Sequence, residues 1–290
     1  MFVFKAAVVG AGVMGGEIAQ VIASADIPVL LKDVDTKFVD AGLAKAREVT
    51  EKSAAKLVEK GKLTSEEASA QVERVLANIT GTTSYDGFGD VDFVIEAVPE
   101  KMEIKHAVFA ELDACTPGHA ILASNTSGLS ITEIGEITLR PDKVVGFHFF
   151  YPASRMRLIE VIEGDDTSPE TAQAAANFAM AIRKTPVRCA ECPGFVVNRI
   201  LVSTASEVWR YQDETAASVE EIDELIREKA QMPMGPFRVA DMSGLDTTVK
   251  VARDLQEAYG DRFYVHQGME KLVQEGNLGA KSGKGFYEHR

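Results

Sequence analysis

The feature that most constrains the fold is a glycine motif close to the start of the sequence. An apolar run, residues 6–9, leads directly into Gly10-x-Gly12-x-x-Gly15. This order predicts a buried parallel strand, a tight turn and a helix N-terminus. Gly10 permits the turn, Gly12 lets a pyrophosphate approach the backbone, and Gly15 lets the helix pack against the strand, while the helix dipole favours the anion. The predicted dinucleotide-binding residues of this turn are Gly10, Gly12, Val13, Met14 and Gly15.

An acidic residue follows the second predicted strand. Residues 28–33 read as that strand and end in Asp33, about twenty residues after Gly12, where dinucleotide-binding folds place a carboxylate for the ribose hydroxyls. A carboxylate at this point favours NAD over NADP, because it would repel a 2′-phosphate. The alternative interpretation is a glycine-rich turn in another kind of α/β protein.

The composition predicts a globular protein with room for two domains. The chain has 290 residues, of which 46% are hydrophobic and 26% charged. A net charge of −13 argues against a general binder of nucleic acid or anionic membranes, because such binding needs clustered lysine and arginine. An anionic small ligand would therefore need a local basic patch.

Neither a targeting segment nor a disulfide framework is indicated. No apolar stretch reaches the roughly 18 residues of a membrane span, and no leader pattern is recognisable, so we expect a soluble cytoplasmic chain. Three cysteines suit a reducing compartment. Cys189 and Cys192 have C-x-x-C spacing, but no further zinc ligands stand near, and Pro193-Gly194 follows where a thioredoxin-type motif needs a helix. We expect no metal, with a redox or metal site as the alternative.

Alternating strand and helix patterns predict a doubly wound parallel sheet. Further strands are predicted at residues 79–80, 91–96, 120–123, 143–148, 157–162 and 185–188, and helices at 35–60, from 64 onward, 101–114 and 168–183. After Pro193-Gly194 the pattern becomes helical, at residues 195–212, 219–229 and 247–259. The sequence thus predicts a Rossmann-type domain over residues 1–190 and an all-α substrate and dimerisation domain over residues 191–290.

The predicted helix at residues 35–60 and the turn after it are the basic part of the chain. Their cations are Lys37, Lys45, Arg47, Lys52, Lys56, Lys60 and Lys62. Acidic residues are interspersed among them, so the pattern alone favours a solvated helix face.

Polar residues gather at the ends of otherwise apolar strands. His148 lies between Gly-Phe and Phe-Phe, a context in which a buried structural histidine is common. Glu160 changes the interpretation, because a carboxylate in an apolar strand is costly unless a neighbouring strand supplies a partner. A paired His148 would have a fixed tautomer and a more basic second nitrogen, as proton abstraction from a hydroxyl requires.

Several motifs, taken together, resemble those of the L-3-hydroxyacyl-CoA dehydrogenases. They are Gly10-x-Gly12-x-x-Gly15, Ser124-Asn-Thr-Ser127, Gly146-Phe-His148-Phe-Phe with Glu160, Pro193-Gly-Phe-Val-Val-Asn198-Arg199, Pro233-Met-Gly-Pro-Phe237, Gly244-Leu-Asp-Thr-Thr248 and Lys281-Ser-Gly-Lys-Gly-Phe-Tyr287. The resemblance covers essentially the whole chain. It implies a homodimer that oxidises (3S)-3-hydroxyacyl-CoA to 3-ketoacyl-CoA with NAD, or catalyses the reverse reduction.

The resemblance also implies roles for individual residues. His148 is the expected general base and Glu160 its orienting partner, whereas Ser127 and Asn198 are expected to hold the 3-oxygen and the thioester region. The implied cofactor contacts are Asp33, at the adenosine ribose, and Glu100, Lys105, Ser127 and Lys281. Lys56 matches a position that meets the phosphates of coenzyme A.

One departure from the family pattern concerns substrate preference. The family commonly has Asn-Pro after the His-Phe-Phe segment, whereas this chain has Tyr151-Pro152. The opening and Lys32-Asp33 also look like the dehydrogenase part of multifunctional β-oxidation proteins. Two other functional classes remain as alternatives, namely a 3-hydroxy acid dehydrogenase that does not use coenzyme A, which would typically have a lysine base, and a non-catalytic NAD-binding protein.

Overall fold

The apolar segments of the first two-thirds of the chain form one mostly parallel sheet. The structure is a computed structural model that describes residues 2–289, and within these residues the sheet has eight strands. The strands are β1 (Ala6–Val9), β2 (Val29–Lys32), β3 (Ile79–Thr82), β4 (Phe93–Glu96), β5 (Ile121–Ser124), β6 (Val144–Phe149), β7 (Leu158–Glu163) and β8 (Thr185–Ala190). All neighbouring pairs are parallel except β6 and β7. The predicted Rossmann-type α/β class is confirmed.

The strand order places a crevice next to the glycine turn. The order is β3-β2-β1-β4-β5-β6-β7-β8, so the chain runs outward in one direction from β1 and in the other from β4. In open α/β sheets, ligands bind outside the carboxyl ends of the strands at this switch point. The residues that follow β1, β2, β4 and β5 therefore meet at one edge of the sheet.

Two glycines bring the first two helices into backbone contact. The helices of this unit are α1 (Val13–Ala23), α2 (Thr36–Glu59), α3 (Ser65–Ala77), α4 (Met102–Cys115), α5 (Ile131–Glu136) and α6 (Pro169–Ala181). A Cβ on Gly16 of α1 would lie 2.6 Å from the carbonyl oxygen of Gly42 in α2. A Cβ on Gly42 would lie 2.6 Å from the carbonyl oxygen of Ala11 in the glycine turn. Side chains at these positions would force α2 away from the turn, so the close packing depends on glycine.

A second compact unit, residues 192–290, follows the first unit, residues 1–191. Its helices are α7 (Val197–Thr215), α8 (Val219–Lys229), α9 (Pro236–Ser243), α10 (Leu245–Tyr259) and α11 (Gln267–Gln274). The core of this unit contains Trp209, Phe237, Leu255, Phe263 and Met269. Over residues 2–289, no helix combines the length and the apolar character that crossing a bilayer would require.

Two buried carboxylates hold the end of the chain against this helical unit. Asp241 accepts hydrogen bonds from the amides of Phe286 and Tyr287 at 3.0 and 2.9 Å. Asp223 accepts one from the hydroxyl of Tyr287 at 2.8 Å. The Gly-Phe-Tyr end of the Lys281–Tyr287 motif is therefore fixed through main-chain and phenol groups, and the glycine at 285 leaves the space that Asp241 occupies.

Candidate active site

A histidine and a glutamate face each other across the antiparallel strands β6 and β7. His148 lies directly opposite Glu160 in the strand register. Nδ1 of His148 is 2.8 Å from Oε2 of Glu160, and both side chains are buried. Because a carboxylate only accepts hydrogen bonds, Nδ1–H is the donor, and a neutral imidazole then has its basic lone pair on Nε2. The predicted pairing of these two side chains is present in the structure.

The turn after β5 carries Ser127 at an exposed position. Oε1 of Glu100 accepts hydrogen bonds from the hydroxyl of Thr126 at 2.6 Å and from the amide of Ser127 at 2.8 Å. The hydroxyl oxygen of Thr126 in turn accepts one from the amide of Leu129 at 2.9 Å. The backbone of Ser127 is thus fixed by Glu100.

A buried ion pair supports this turn from below. Nζ of Lys105 lies 2.8 and 2.9 Å from the two carboxylate oxygens of Glu96 and 3.2 Å from Oε2 of Glu100. Glu96 also accepts a hydrogen bond from the hydroxyl of Ser124 at 2.6 Å. Lys105 is only 1% exposed, and its three N–H donors match the three carboxylate oxygens around it. Its ammonium therefore serves the internal network that holds Glu100.

Asn125 links the same turn to the strand that carries the histidine. Its side-chain oxygen accepts a hydrogen bond of 2.8 Å from the amide of Phe149, the residue after His148. The chain segments bearing Ser127 and His148 are therefore joined by a side-chain to main-chain hydrogen bond as well as by the pairing of β5 with β6.

The glycine turn has the shape expected of a dinucleotide-binding loop. Gly10 has φ of 103°, a conformation that favours glycine, and a Cβ on Gly15 would overlap the carbonyl group of Gly10. Gly12 is the N-cap of α1, has no side-chain cap, and has open space where a Cβ would be. The first-turn amides of α1, with Val13 and Met14, therefore begin at an open backbone surface.

Asp33 follows β2 directly and is tied to the glycine turn. Its Oδ2 accepts a hydrogen bond from the amide of Ala11 at 2.7 Å, and its Oδ1 accepts one from the amide of Val34 at 2.7 Å. Each carboxylate oxygen has a second lone pair for a further donor. The predicted ribose-binding acid thus lies beside the predicted phosphate-binding turn.

Lys56 lines a cleft between α2, α1 and the loop from Tyr151 to Arg155. We call this cleft, whose volume is about 470 Å³, the basic cleft. The charged residues that line it are Glu17, Lys45, Glu48, Lys52, Lys56 and Arg155. Lys45 and Lys52 both form ion pairs with Glu48. The basic part of α2 is therefore one wall of a concave surface as well as a solvated helix face.

Asn198 and Lys281 belong to the second unit. Asn198 is half-buried in the first turn of α7, and the exposed Lys281 forms an ion pair with Asp246. Burial alone would raise the pKa of Asp246, but Lys281 and nearby amides hold this pKa below its ordinary value. Lys281 is thus a cation with an existing partner.

Sequence reasoning missed Glu96 and gave no separate role to Asn125. Glu96 closes an apolar strand just as Glu160 lies in one, so the cost of an unpaired buried carboxylate was a usable signal. Its partner, Lys105, lies on a helix and was not recognisable from strand patterns. Asn125 lies inside the Ser124–Ser127 motif, in which the resemblance assigned a role only to Ser127.

The fold and the polar groups at its switch point define a dinucleotide-dependent oxidoreductase class. Two family models match the chain, one described as "3-hydroxyacyl-CoA dehydrogenase, NAD binding domain" over residues 5–192 and one as the C-terminal domain of the same enzyme over residues 194–289. The chain belongs to the 3-hydroxyacyl-CoA dehydrogenase family.

Individual relatives agree over nearly the full length. A 3-hydroxybutyryl-CoA dehydrogenase of Clostridioides difficile is 41% identical over 286 residues, covering 98% of this chain and 99% of that protein. The crystal structure of (S)-3-hydroxybutyryl-CoA dehydrogenase from Ralstonia eutropha has a TM-score of 0.90 at 36% identity, with 100% of both chains covered. The fatty acid oxidation complex subunit alpha of a Psychrobacter species is 40% identical, but the matching region is 38% of that longer protein.

Proposed function

We propose that this protein is an NAD-dependent 3-hydroxyacyl-CoA dehydrogenase in which His148 is the general base. The observation that carries this assignment is the cross-strand hydrogen bond between His148 and Glu160. In the oxidative direction, Nε2 of His148 accepts the proton of the 3-hydroxyl group while the C3–H bond breaks. Glu160 keeps Nδ1 protonated and stabilises the imidazolium that forms, and in the reductive direction Nε2 returns the proton.

The residues around the glycine turn fit NAD. The open backbone at Gly12 and the uncapped first turn of α1 suit a pyrophosphate, and Asp33 suits the adenosine ribose. When bound, NAD supplies the hydride acceptor for the oxidation. We expect Asp33 to exclude NADP, and comparable kcat/KM values with NADP and NAD would contradict its role.

Substrate contacts follow from the family resemblance and from the placement of the residues. Ser127 and Asn198 would hold the 3-oxygen and the thioester region, and Lys56 would bind a phosphate of coenzyme A in the basic cleft. Glu100 and Lys281 would contact the cofactor. Since the ammonium of Lys105 is buried among Glu96 and Glu100, we assign it a supporting role through Glu100 rather than a direct cofactor contact.

Assembly and location are further parts of the proposal. Exposed apolar side chains on α7, among them Ile200 and Leu201, support a homodimer formed through the second unit. We place the protein in the cytoplasm, which accords with its few cysteines. Relatives include both a chain of the same length and a longer multifunctional protein, so we leave open whether the dehydrogenase acts free-standing or as part of a larger one.

The deciding experiment is the oxidation of NADH in the presence of acetoacetyl-CoA, followed by a series of acyl chain lengths. We expect turnover with the CoA thioester and none with free acetoacetate. Turnover of the free acid alone would instead indicate a 3-hydroxy acid dehydrogenase. NADH binding without any turnover would indicate a non-catalytic NAD-binding protein.

A further inference from the structure

Two cations of the basic cleft are not neutralised within the protein. Lys45 and Lys52 both form ion pairs with Glu48, and the second acid, Glu17, is paired with Lys45 at 3.7 Å and hydrogen-bonded to Ser154. Over residues 2–289 of the structure, neither Lys56 nor Arg155 has a carboxylate within ion-pair distance. They lie on opposite walls of the cleft, Lys56 on α2 and Arg155 on the loop between β6 and β7.

The loop that carries Arg155 is held from two sides. Oε2 of Glu17, a buried residue of α1, accepts hydrogen bonds from the amide and the hydroxyl of Ser154, both at 3.0 Å. The ammonium of Lys184 donates to the carbonyl oxygens of Ala153 and Met156 at 2.5 and 2.8 Å. Such anchoring of the backbone costs the loop much of its freedom before a ligand binds, which favours affinity.

Tyr151 precedes this anchored segment and lines the same cleft. Its side chain is 59% exposed, so the ring is open to a ligand that enters the cleft. An aromatic ring beside two unpaired cations is a combination that recognises nucleotides, because the ring can stack on a base while the cations bind a phosphate.

We propose that Arg155 and Tyr151 form the second wall of the coenzyme A site. Arg155 binds a phosphate of the nucleotide portion together with Lys56, and Tyr151 packs against its base. Glu17 and Lys184 are positioning residues that hold this wall. The proposal rests on the proposed function, and it assigns to Tyr151 a role that the asparagine common in the family cannot perform.

The test compares Arg155→Gln with Arg157→Gln on two substrates. Arg157 is exposed, lies two residues further along and does not line the cleft, so its substitution is a matched control for charge and location. Acetoacetyl-CoA carries the nucleotide, whereas acetoacetyl-pantetheine has the same reacting end without it. We expect Arg155→Gln to raise KM for acetoacetyl-CoA about 3- to 10-fold, as for a partly exposed charge-assisted contact, with kcat and the KM for NADH unchanged. The KM for acetoacetyl-pantetheine should not change.

Tyr151→Asn should also raise the KM for acetoacetyl-CoA and leave that for acetoacetyl-pantetheine unchanged. Equal effects of Arg155→Gln and Arg157→Gln, or equal effects on both thioesters, would overturn the proposed second wall. The activity of the wild-type enzyme distinguishes failure of the proposed second wall from failure of the proposed function. If it reduces acetoacetyl-CoA but these variants behave as wild type, only the wall is wrong, whereas absence of wild-type turnover would refute the function itself.

Discussion

Two buried histidines, one in each unit, differ in what surrounds their ring nitrogens. His148 points Nδ1 at the carboxylate of Glu160 across a strand pair. His266 is the N-cap of α11, where Nδ1 accepts a hydrogen bond of 2.9 Å from the amide of Met269 and Nε2 lies 2.7 Å from the side-chain oxygen of Gln212. Because Nδ1 accepts there, Nε2 is the protonated nitrogen and donates to the amide oxygen of Gln212, whereas the nearest carboxylate, that of Asp213, is farther away at 3.5 Å.

The comparison shows that burial alone does not distinguish a base from a structural histidine. A carboxylate partner favours the protonated ring that proton transfer creates, whereas an amide oxygen together with an amide N–H fixes the neutral ring. His148 therefore suits a residue that cycles between two protonation states. His266 suits a residue that stays in one.

The strongest test of this contrast is His148→Gln. We expect kcat for acetoacetyl-CoA reduction to fall about 10²- to 10⁴-fold, because general acid–base catalysis is lost. NADH binding, measured by fluorescence titration, should be unchanged, since the glycine turn and Asp33 are elsewhere. A near-normal kcat would make His148 a structural residue like His266.

Glu160→Gln should have the next largest effect. We expect kcat to fall about 10- to 100-fold, the range that applies when the hydrogen-bonding partner of a metal-bound imidazole is removed. For oxidation of a 3-hydroxyacyl-CoA, in which the neutral imidazole is the active form, the acid limb of the pH–rate profile should move to lower pH, because an imidazolium without its counter-charge loses its proton more readily. A variant that only unfolds more easily, with normal kinetics in its folded fraction, would contradict the orienting role.

His266→Ala should affect stability and not chemistry. Loss of the N-cap is expected to lower the free energy of unfolding of the second unit by about 1–2 kcal/mol. The single tryptophan, Trp209, lies in the core of that unit, so its fluorescence during urea unfolding reports on this unit. Unchanged kcat and KM in the folded variant are the expected control, and a catalytic defect at constant stability would refute the contrast.

The smallest expected effect is a pH dependence of the stability that His266 contributes to the second unit. Burial lowers the pKa of His266 below its ordinary value of 6.5, and Asp213, 3.5 Å away, partly opposes this shift. The unfolded chain therefore binds a proton more readily, and the stability that His266 contributes is lost as pH falls from 6.5 toward the folded-state pKa. The difference in urea midpoint between wild type and His266→Ala should shrink over that range, and a difference that grows on acidification would show the opposite sign.

Much of the first unit could be predicted because buried strands carry their own signal. The apolar runs located the eight strands, and the helix predicted from residue 64 onward is α3, whose N-terminus is closed by a capping box of Thr64 and Glu67. Glu160 predicted a buried partner, and β6 and β7 supply it by direct pairing. In each of these cases the predictive pattern lies within one element or in two strands that pair directly.

The missed features depend on groups far apart in the sequence. The short helices α9 and α11 were not predicted, and α11 begins at a histidine cap instead of the usual serine, threonine, aspartate or asparagine. The burial of Lys105 against Glu96 was also not predicted, because it depends on how α4 packs on the sheet. Which acidic and basic residues pair with each other inside the protein could therefore be learned only from the structure.

The contact between Gly16 and Gly42 couples the glycine turn and α1 rigidly to α2, the helix that carries Lys56. With backbone against backbone, there are no flexible side chains to absorb a shift of one element relative to the other. A designer who wishes to remodel the lysine face for a different thioester carrier should keep both glycines, or transplant α1 and α2 as one cassette. A methyl group at either position would be felt in the binding of both substrates at once.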